Sequence, residues 1–242
     1  MLPVFFFLLA LLLPKTAQAA SCPNVPVLFY HHIQPPAEAK AKKQQSLSVD
    51  NAAFEKQLSY LNAHNYQTIT LDQLDTILTS GNSSFSKPIV LTIDDGYSDV
   101  YDYAYPLAKK YNIKLNLFIP TGLLENKNYL SWQQLKDMKD SGNISVYNHT
   151  WSHQNFGNKT TLEKIDWELT TSEKQLEEHL GSVTKMFAYP YGTISKKAID
   201  KVQSLGFKLA FTISRGVVNC KSTRLQLPRI RIGNAPLSSY GI

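Results

Sequence analysis

Short apolar runs of β-strand type alternate with helical patterns between residues 25 and 232. Several of these runs are apolar throughout, which is typical of parallel strands that helices cover on both faces of a sheet. The predicted strands are residues 25–30, 67–70, 89–93, 115–119, 144–147, 185–189, 207–213 and 227–232. The predicted helices are residues 51–63, 71–80, 98–111, 132–140, 161–180 and 194–205. This alternation predicts an α/β fold with a mostly parallel sheet.

The number of predicted strands fits an incomplete (β/α) barrel of about seven parallel strands. A doubly wound open sheet is the structural alternative. Ser131 with Gln134, and Thr160 with Glu163, have the spacing of capping boxes and predict two helix starts. Residues 34–48 are rich in Pro, Ala, Lys and Gln, so we expect a mobile surface loop there.

The first 19 residues have the pattern of a secretory signal peptide. An apolar run from Phe5 to Leu13 precedes the small-x-small sequence Ala17-Gln18-Ala19, which predicts cleavage after Ala19. An uncleaved membrane anchor is the alternative, but it needs about 20 apolar residues. We therefore expect an exported protein, periplasmic or extracellular, with no membrane span after cleavage.

The chain has two cysteines, Cys22 and Cys220. Because disulfides persist outside the cytoplasm, we expect one bridge between the mature N-terminus and a late loop. Two free thiols, or lipidation of Cys22, are the alternatives.

The formal net charge is +6, but lysines and arginines are scattered rather than gathered in a stripe. Scattered cations are typical of a solvated surface, and we expect no nucleic-acid partner. The sequence does not indicate an oligomeric state.

Two carboxylates, Asp94 and Asp95, stand where the third predicted strand ends. Active residues of parallel α/β folds gather at the carboxyl ends of the strands. Adjacent residues on a strand point in opposite directions, so one aspartate can bind a metal while the other faces a water. The alternative is an Asp that caps the next helix.

His149 and His153 follow the predicted strand 144–147 at a spacing of four. On one face of a helical turn, such histidines can bind one metal ion. Chance surface histidines are the alternative for this pair alone. Two histidines with one aspartate would leave coordination positions open, as catalytic zinc sites do.

Two further strand ends carry candidate residues. The turn Tyr189-Pro190-Tyr191-Gly192 presents a rigid ring and a backbone N–H, which suit a sugar and a developing oxyanion. His31 and His32 follow the first strand, and a histidine there could act as a general acid. An ordinary turn and a structural histidine are the alternatives.

Taken together, the segments 92–96, 149–153 and 189–192 resemble the first three motifs of the polysaccharide deacetylases of carbohydrate esterase family four, the nodulation-type deacetylase homology domain. Tyr30-His31-His32-Ile33 and Leu227-Pro228-Arg229-Ile230 resemble the branch that deacetylates biofilm poly-N-acetylglucosamine. The resemblance spans about residues 25–232, and it makes residues 20–242 a single polysaccharide deacetylase catalytic domain.

The resemblance implies a metal-dependent N-deacetylase whose substrate is an N-acetylated polysaccharide and whose cofactor is a divalent metal, usually zinc. It assigns metal binding to Asp95, His149 and His153. It also assigns the general base to Asp94 and an oxyanion-binding backbone N–H to Tyr191.

Two departures from the family pattern affect these roles. Many members have an Arg that orients the base where this chain has Ala188, so Arg229 or Arg231 becomes a candidate replacement. Many members take their general acid from a late histidine, and no histidine follows His179 here. In the biofilm branch the early histidine takes that role, which assigns it to His31.

Two other functions stay open. The chain could be a carbohydrate-binding or scaffold protein with a decayed site. It could also apply the same chemistry to peptidoglycan, chitin oligomers or acetyl esters.

Overall fold

The structure is a computed structural model that describes residues 22–242. The predicted signal peptide, residues 1–19, and its cleavage site lie outside the described residues. Among residues 22–242, no helix combines the length and the apolar character that crossing a bilayer would require.

All eight predicted strands are present, together with two short ones. The strands are β1 Val27–Tyr30, β2 His32–Ile33, β3 Ser48–Val49, β4 Gln67–Thr68, β5 Pro88–Asp94, β6 Leu115–Ile119, β7 Ile144–Asn148, β8 Met186–Ala188, β9 Leu209–Phe211 and β10 Ile230–Arg231. The helices are α1 Pro36–Ala41, α2 Asn51–Ala63, α3 Leu71–Ser80, α4 Tyr105–Tyr111, α5 Trp132–Asp140, α6 Leu162–Leu180 and α7 Lys196–Ser204. A π-helical turn, Val100–Ala104, precedes α4 within the predicted helix 98–111.

Seven strands form one parallel path in the order β10-β1-β5-β6-β7-β8-β9, and β4 pairs with the start of β5. The segment before β10 also reaches the other end of this path, because Leu227 pairs with Phe211 of β9. With helices around the sheet, the fold is an incomplete α/β barrel, as predicted.

Successive residues of the strands contribute to two different apolar clusters, since side chains alternate across a sheet. In β6, for example, Leu117 packs with residues of α2, α4 and α5, whereas Phe118 packs with residues of α3. All seven residues of β5 are buried. Burial on both faces explains why these strands are apolar throughout.

The predicted helix starts are confirmed at one position and shifted at the other. Ser131 and Gln134 form a reciprocal capping box at the start of α5. At α6 the N-cap is Thr161, which accepts from the Lys164 backbone N–H, so the predicted Thr160 cap is wrong by one residue. Thr160 instead donates its hydroxyl to the Asn155 carbonyl at 2.6 Å.

The expectation of a mobile loop over residues 34–48 is wrong. This segment contains α1, a 3-10 turn at Gln45–Leu47 and the start of β3, which pairs with β2. The buried Gln34 side chain donates to Gln44 at 3.0 Å and to Ser48 at 2.9 Å. Polar composition predicted a loop, but these side-chain hydrogen bonds order the segment.

Cys22 and Cys220 form a disulfide with their Cα atoms 5.9 Å apart, which confirms the predicted bridge. It joins the start of the described chain to the loop between β9 and β10.

Candidate active site

Four strands bring the candidate residues to one edge of the sheet. β1 leads to His31, β5 ends at Asp94, β7 leads to His149, and β8 leads to the turn that contains Tyr191. Tyr30 pairs with Ile93 in the parallel register of β1 and β5, so His31 and Asp94 come next on neighbouring strands. The structure therefore brings the predicted residues together at the carboxyl ends of the strands.

The two aspartates face different partners, but strand alternation is not the reason. Asp94 is the last residue of β5, and Asp95 has a left-handed backbone with φ of 74°. This turn directs Asp95 toward the two histidines while Asp94 stays buried beside Arg229. The prediction that the two aspartates diverge because both lie on an extended strand is therefore wrong, since Asp95 lies in a turn.

His149 and His153 do not lie on a helical turn, so that prediction is wrong. The segment between them is irregular, with positive φ at Thr150 (70°) and at His153 (59°). The two imidazole centroids nevertheless lie 4.9 Å apart. A looped backbone thus replaces the helix in bringing the rings together.

Asp95, His149 and His153 form a compact group of possible metal ligands. The Asp95 Oδ1 atom lies 3.3 Å from His149 Nε2 and 3.1 Å from His153 Nε2. One ligand atom from each residue lies within 4.8 Å of the others. Carboxylate and imidazole ligands in a set of three suit zinc and similar divalent ions.

Two observations test whether a cation fits this group. His149 Nδ1 lies 2.7 Å from the Ala188 carbonyl, which can only accept, so Nδ1 donates to that carbonyl and Nε2 is the ring nitrogen left to face a cation. Asp95 Oδ1 is buried and has no hydrogen-bond partner among the described residues. A buried carboxylate oxygen without a hydrogen-bond partner, beside two imidazole nitrogens, fits a divalent cation.

The environment favours the ionised form of Asp95. Burial alone would raise the pKa of Asp95, but its contacts with His149 and His153 and the charge of His31 hold that pKa well below its usual range. An ionised carboxylate is the form that a metal requires.

Asp94 is held by Arg229, one of the two residues considered as a replacement for the missing arginine. Arg229 Nη1 donates to Asp94 Oδ1 at 2.8 Å, and Nη2 donates to Oδ2 at 2.7 Å. Burial alone would raise the pKa of Asp94, but Arg229, with smaller effects from His149 and His31, lowers it below its ordinary value. Arg231 instead donates to the Ser46 carbonyl at 2.7 Å.

The Arg229 guanidinium is fully buried and has several partners besides Asp94. Its Nε donates to the Thr212 carbonyl at 3.0 Å, and Nη1 also donates to Thr92 Oγ1 at 3.1 Å. The central carbon of the Arg229 guanidinium lies 4.5 Å from the centroid of the Phe29 ring. With this many contacts, the fork has a defined orientation toward Asp94.

Glu168, which the sequence analysis did not single out, fastens the loop between the two histidines. It is fully buried on α6 and accepts the backbone N–H groups of Trp151 at 2.9 Å and Ser152 at 2.8 Å. It also accepts the Ser152 hydroxyl at 2.6 Å and pairs with Lys164 at 2.9 Å. No sequence signal distinguishes it from the other acidic residues of an amphipathic helix.

Gly122 lies against the same loop. Its N–H donates to the Trp151 carbonyl at 2.7 Å, and a Cβ added there would lie 2.3 Å from the Trp151 ring. Only a glycine allows this approach, so Gly122 and Glu168 both contact the loop between the two histidines.

The two histidines after β1 have different surroundings. His32 is buried, its Nδ1 lies 2.6 Å from Asp99 Oδ2, and its ring stacks on Tyr97 at 3.7 Å. Burial lowers the pKa of His31, and the charges of Asp94 and Asp95 oppose this effect. The negative charges of Asp94 and Asp95 thus both act on the His31 ring.

Tyr191 combines a strained backbone with an exposed ring. Its φ of 58° lies in the left-handed region, and the side chain is 62% exposed. The ring packs edge-on against His153, with centroids 4.5 Å apart. The turn thus places an aromatic ring beside His153, one of the possible metal ligands.

The arrangement defines an α/β-barrel site with a three-residue metal-binding set and a neighbouring buried carboxylate, as in metal-dependent hydrolases. The sequence profile of the polysaccharide deacetylases matches residues 82–210, and the chain belongs to this family.

Named relatives agree with this assignment. The chain is 29% identical to the poly-beta-1,6-N-acetyl-D-glucosamine N-deacetylase of Staphylococcus aureus (strain MRSA252), over 81% of this chain and 71% of that protein. The Streptococcus pyogenes deacetylase PplD, solved in complex with acetate, superposes with a TM-score of 0.83 at 27% identity, over 91% of this chain and 99% of that one. IcaB from Ammonifex degensii superposes with a TM-score of 0.76 at 25% identity, over 86% and 91%.

Proposed function

We propose that this protein is a metal-dependent N-deacetylase that removes acetyl groups from an N-acetylglucosamine polymer of the poly-N-acetylglucosamine type. One observation carries the proposal: the possible metal ligands Asp95, His149 and His153 lie beside a separate carboxylate, Asp94, that is oriented by Arg229. Similarity to the poly-beta-1,6-N-acetyl-D-glucosamine N-deacetylase supports the choice of polymer.

Asp95, His149 and His153 would hold the metal, and zinc suits this ligand set. When bound, the metal supplies Lewis acidity toward the acetamide carbonyl and the attacking water. Glu168 supports this set indirectly, because it binds the loop that connects the two histidines.

Asp94 acts as the general base, since its environment favours the ionised carboxylate. It takes a proton from the water whose oxygen attacks the acetamide carbon. The two hydrogen bonds from Arg229 fix the rotation of the carboxylate. Orientation of this kind is needed because proton transfer requires hydrogen-bond distance in a defined pose.

The negative charge that develops on the acetamide oxygen is stabilised by the Tyr191 backbone N–H. His31 gives a proton to the departing nitrogen as the C–N bond breaks. The products are acetate and a sugar that carries a primary amine.

A decayed carbohydrate-binding site is the other class of function. Decay of such a site would remove metal ligands or the base, whereas Asp95, His149 and His153 still form a possible ligand set. Arg229 also holds Asp94, although Ala188 stands at the usual arginine position. We therefore favour an active enzyme.

The deciding experiment is acetate release from a panel of poly-N-acetylglucosamine, chitin oligomers, peptidoglycan and acetylxylan, with the Asp94→Asn protein as the control. We expect the largest rate on poly-N-acetylglucosamine and little release by the control. A larger rate on another polymer would identify that polymer as the substrate. No acetate release from any polymer would favour a carbohydrate-binding protein with a decayed site.

We also propose that the protein acts after export. The disulfide is compatible with an oxidising compartment. Mass spectrometry of the exported protein tests this, and we expect a mature chain that starts after Ala19. A chain that retains residues 1–19 would contradict cleavage.

A further inference from the structure

Asp99 is a buried carboxylate to which the proposed mechanism gives no role. It is the N-cap residue of the π-helical turn Val100–Ala104, but its side chain makes no capping hydrogen bond there. Instead, Oδ1 accepts the Ile33 backbone N–H at 2.8 Å, and Oδ2 lies 2.6 Å from His32 Nδ1. A buried carboxylate needs a partner for each oxygen, and both of these partners lie in β2. Asp99 therefore stabilises the segment after β1 rather than the start of its own helix.

The segment that Asp99 contacts begins directly after His31, the proposed general acid. His32 and Ile33 form β2, which also pairs with β3. The His32 ring stacks on the ring of Tyr97, with their centroids 3.7 Å apart. The residue that follows His31 is thus held by strand pairing, by ring stacking and by the Asp99 carboxylate.

Asp99 and Tyr97 lie in the segment that follows β5, close in sequence to Asp94 and Asp95. Their contacts with β2 therefore link the segment that carries the proposed acid to the segment that carries the proposed base and one possible metal ligand. Because the backbone turns only about its φ and ψ angles, fixing the residues next to His31 restricts where His31 can lie. The distance between His31 and the two aspartates thus depends on this link.

A general acid needs a defined position, since proton transfer requires hydrogen-bond distance to the departing nitrogen. The His31 ring is partly exposed and packs edge-on against Phe29, with centroids 5.7 Å apart. A single edge-on contact does not fix a ring by itself, so the position of this ring depends on the backbone that carries it. A displacement of about 1 Å in an active site can cost about 10²-fold in rate.

We propose that Asp99 is a positioning residue for the general acid: by holding His32 and Ile33, it sets where the His31 ring lies relative to the two aspartates. This inference rests on the proposed function, since it takes the role of His31 from it. Without the Asp99 carboxylate, the Ile33 N–H and His32 Nδ1 lose their partner, and the segment that begins at His31 shifts. The histidine ligands after β7 and the base at the end of β5 keep their own contacts.

The test compares zinc-loaded Asp99→Ala with the wild-type protein on two substrates, an N-acetylglucosamine oligomer and an aryl acetate. The sugar amine needs a proton in order to leave, whereas the aryl oxide leaves without one. We expect kcat/KM to fall by about 10²-fold on the oligomer and by much less on the aryl acetate. Equal losses on the two substrates would overturn the proposal, because a general disturbance of the site affects both. Unchanged activity on the oligomer would overturn it as well.

Asp102→Ala is the matched control. Asp102 is exposed on the same π-helical turn, and partial desolvation together with the charges of Asp99 and Glu38 raises the pKa of its carboxyl. The variant removes a neighbouring negative charge but neither contact with β2, so kcat/KM on both substrates should stay near the wild-type values. A loss as large as that of Asp99→Ala would mean that charge, rather than position, is what Asp99 supplies.

Asp99→Asn is the milder variant, in case Asp99→Ala does not fold. Its side-chain oxygen can still accept the Ile33 N–H, so we expect the same selective loss on the oligomer in smaller measure. Losses of equal size on the oligomer and the aryl acetate would again overturn the proposal.

A double variant tests whether Asp99 acts through His31. Residues that act through one group are not additive. In the His31→Gln protein, Asp99→Ala should therefore cost little more on the oligomer. Losses that multiply in the double variant would show that Asp99 acts independently of His31 and would overturn the proposal.

NMR of the His31 ring separates this inference from the proposed function. Its signals are those that disappear in His31→Gln. In Asp99→Ala we expect them to shift or broaden, whereas Asp102→Ala should leave them unchanged, and zinc affinity should stay near the wild-type value in both variants. If no substrate releases acetate, the proposed function fails, and this measurement still tests whether Asp99 holds His31. Unchanged His31 signals in Asp99→Ala would overturn the proposal.

Discussion

Arg229 and Asp94 form a bidentate ion pair across 135 positions of sequence, with both N–O distances below 2.9 Å. Both side chains are buried. The pair joins the segment before β10 to the end of β5, so it connects one end of the strand path to the candidate general base.

Replacing Arg229 should cost both stability and activity. Arg229→Met leaves the buried Asp94 carboxylate without its partner, and such a loss typically costs about 3–5 kcal/mol. Arg229→Lys keeps the charge but lacks the fork, so it should recover part of the stability and less of the activity. Denaturant unfolding and acetate release measure the two effects. The exposed Arg215→Met is the control, and unfolding free energies equal to that control would show that the pair is dispensable.

Glu168 should affect metal affinity although it is not among the possible ligands. Without its carboxylate, the N–H groups of Trp151 and Ser152 lose their acceptor and the loop between the histidines loosens. Loss of outer contacts of this kind typically costs about 10–100-fold in metal affinity. We expect such a loss of zinc affinity in Glu168→Ala and a smaller one in Glu168→Gln.

Lys164→Met is the matched control for Glu168. It removes an ion pair to the same carboxylate from a partly exposed lysine but leaves both backbone contacts. Zinc affinity should be close to that of the wild-type protein. If Lys164→Met and Glu168→Gln weaken zinc binding equally, the backbone contacts are not what supports the site.

His31 should control the alkaline limb of the pH profile. A general acid must carry its proton, and burial lowers the pKa of His31 below its ordinary value. Hence kcat/KM on an N-acetyl sugar should fall as the pH rises through that lowered pKa. His31→Gln should remove this limb and most of the activity.

An aryl acetate provides the control for His31, because its leaving group departs without protonation. Its hydrolysis should suffer much less in His31→Gln than that of the N-acetyl sugar. Equal losses on both substrates would mean that His31 is structural. A larger loss in His32→Gln would assign the acid to His32, which Asp99 holds.

Removing the disulfide should destabilise the protein through its unfolded state. The bridge closes a loop with a sequence separation of 198, for which chain-entropy estimates give at most about 5 kcal/mol. The double variant Cys22→Ser, Cys220→Ser should therefore unfold at lower denaturant concentration, while zinc binding remains. An unchanged midpoint would contradict a stabilising role.

Much of the fold could be predicted because apolar periodicity reports burial directly. The strand 89–93 and the helix 132–140 were located within a residue or two, since each combines an apolar pattern with clear end signals. The segment 34–48 was misjudged because its order comes from side-chain hydrogen bonds of Gln34, which no periodicity reveals.

The candidate site was predictable in its residues but not in its backbone. Strand ends indicated that Asp95 and His153 would meet, because parallel strands share one edge. Their left-handed φ values could not be predicted, since non-glycine residues rarely adopt them. Arg229 could be named only as one of two candidates. Its contact with Asp94 depends on how the segment before β10 packs against the end of β5, and local sequence patterns do not report such packing.

Acetate release by metal-stripped and zinc-restored protein from a β-1,6-linked N-acetylglucosamine oligomer tests the central claim most directly. We predict that acetate and new amine appear in equal amounts, that stripping the metal abolishes both, and that zinc restores them. His149→Ala and His153→Ala should lose zinc and activity together, whereas Asp94→Asn should keep zinc and lose about 10²–10⁴-fold in rate. Full activity in the stripped protein, or in a zinc-loaded Asp94→Asn protein, would contradict the account.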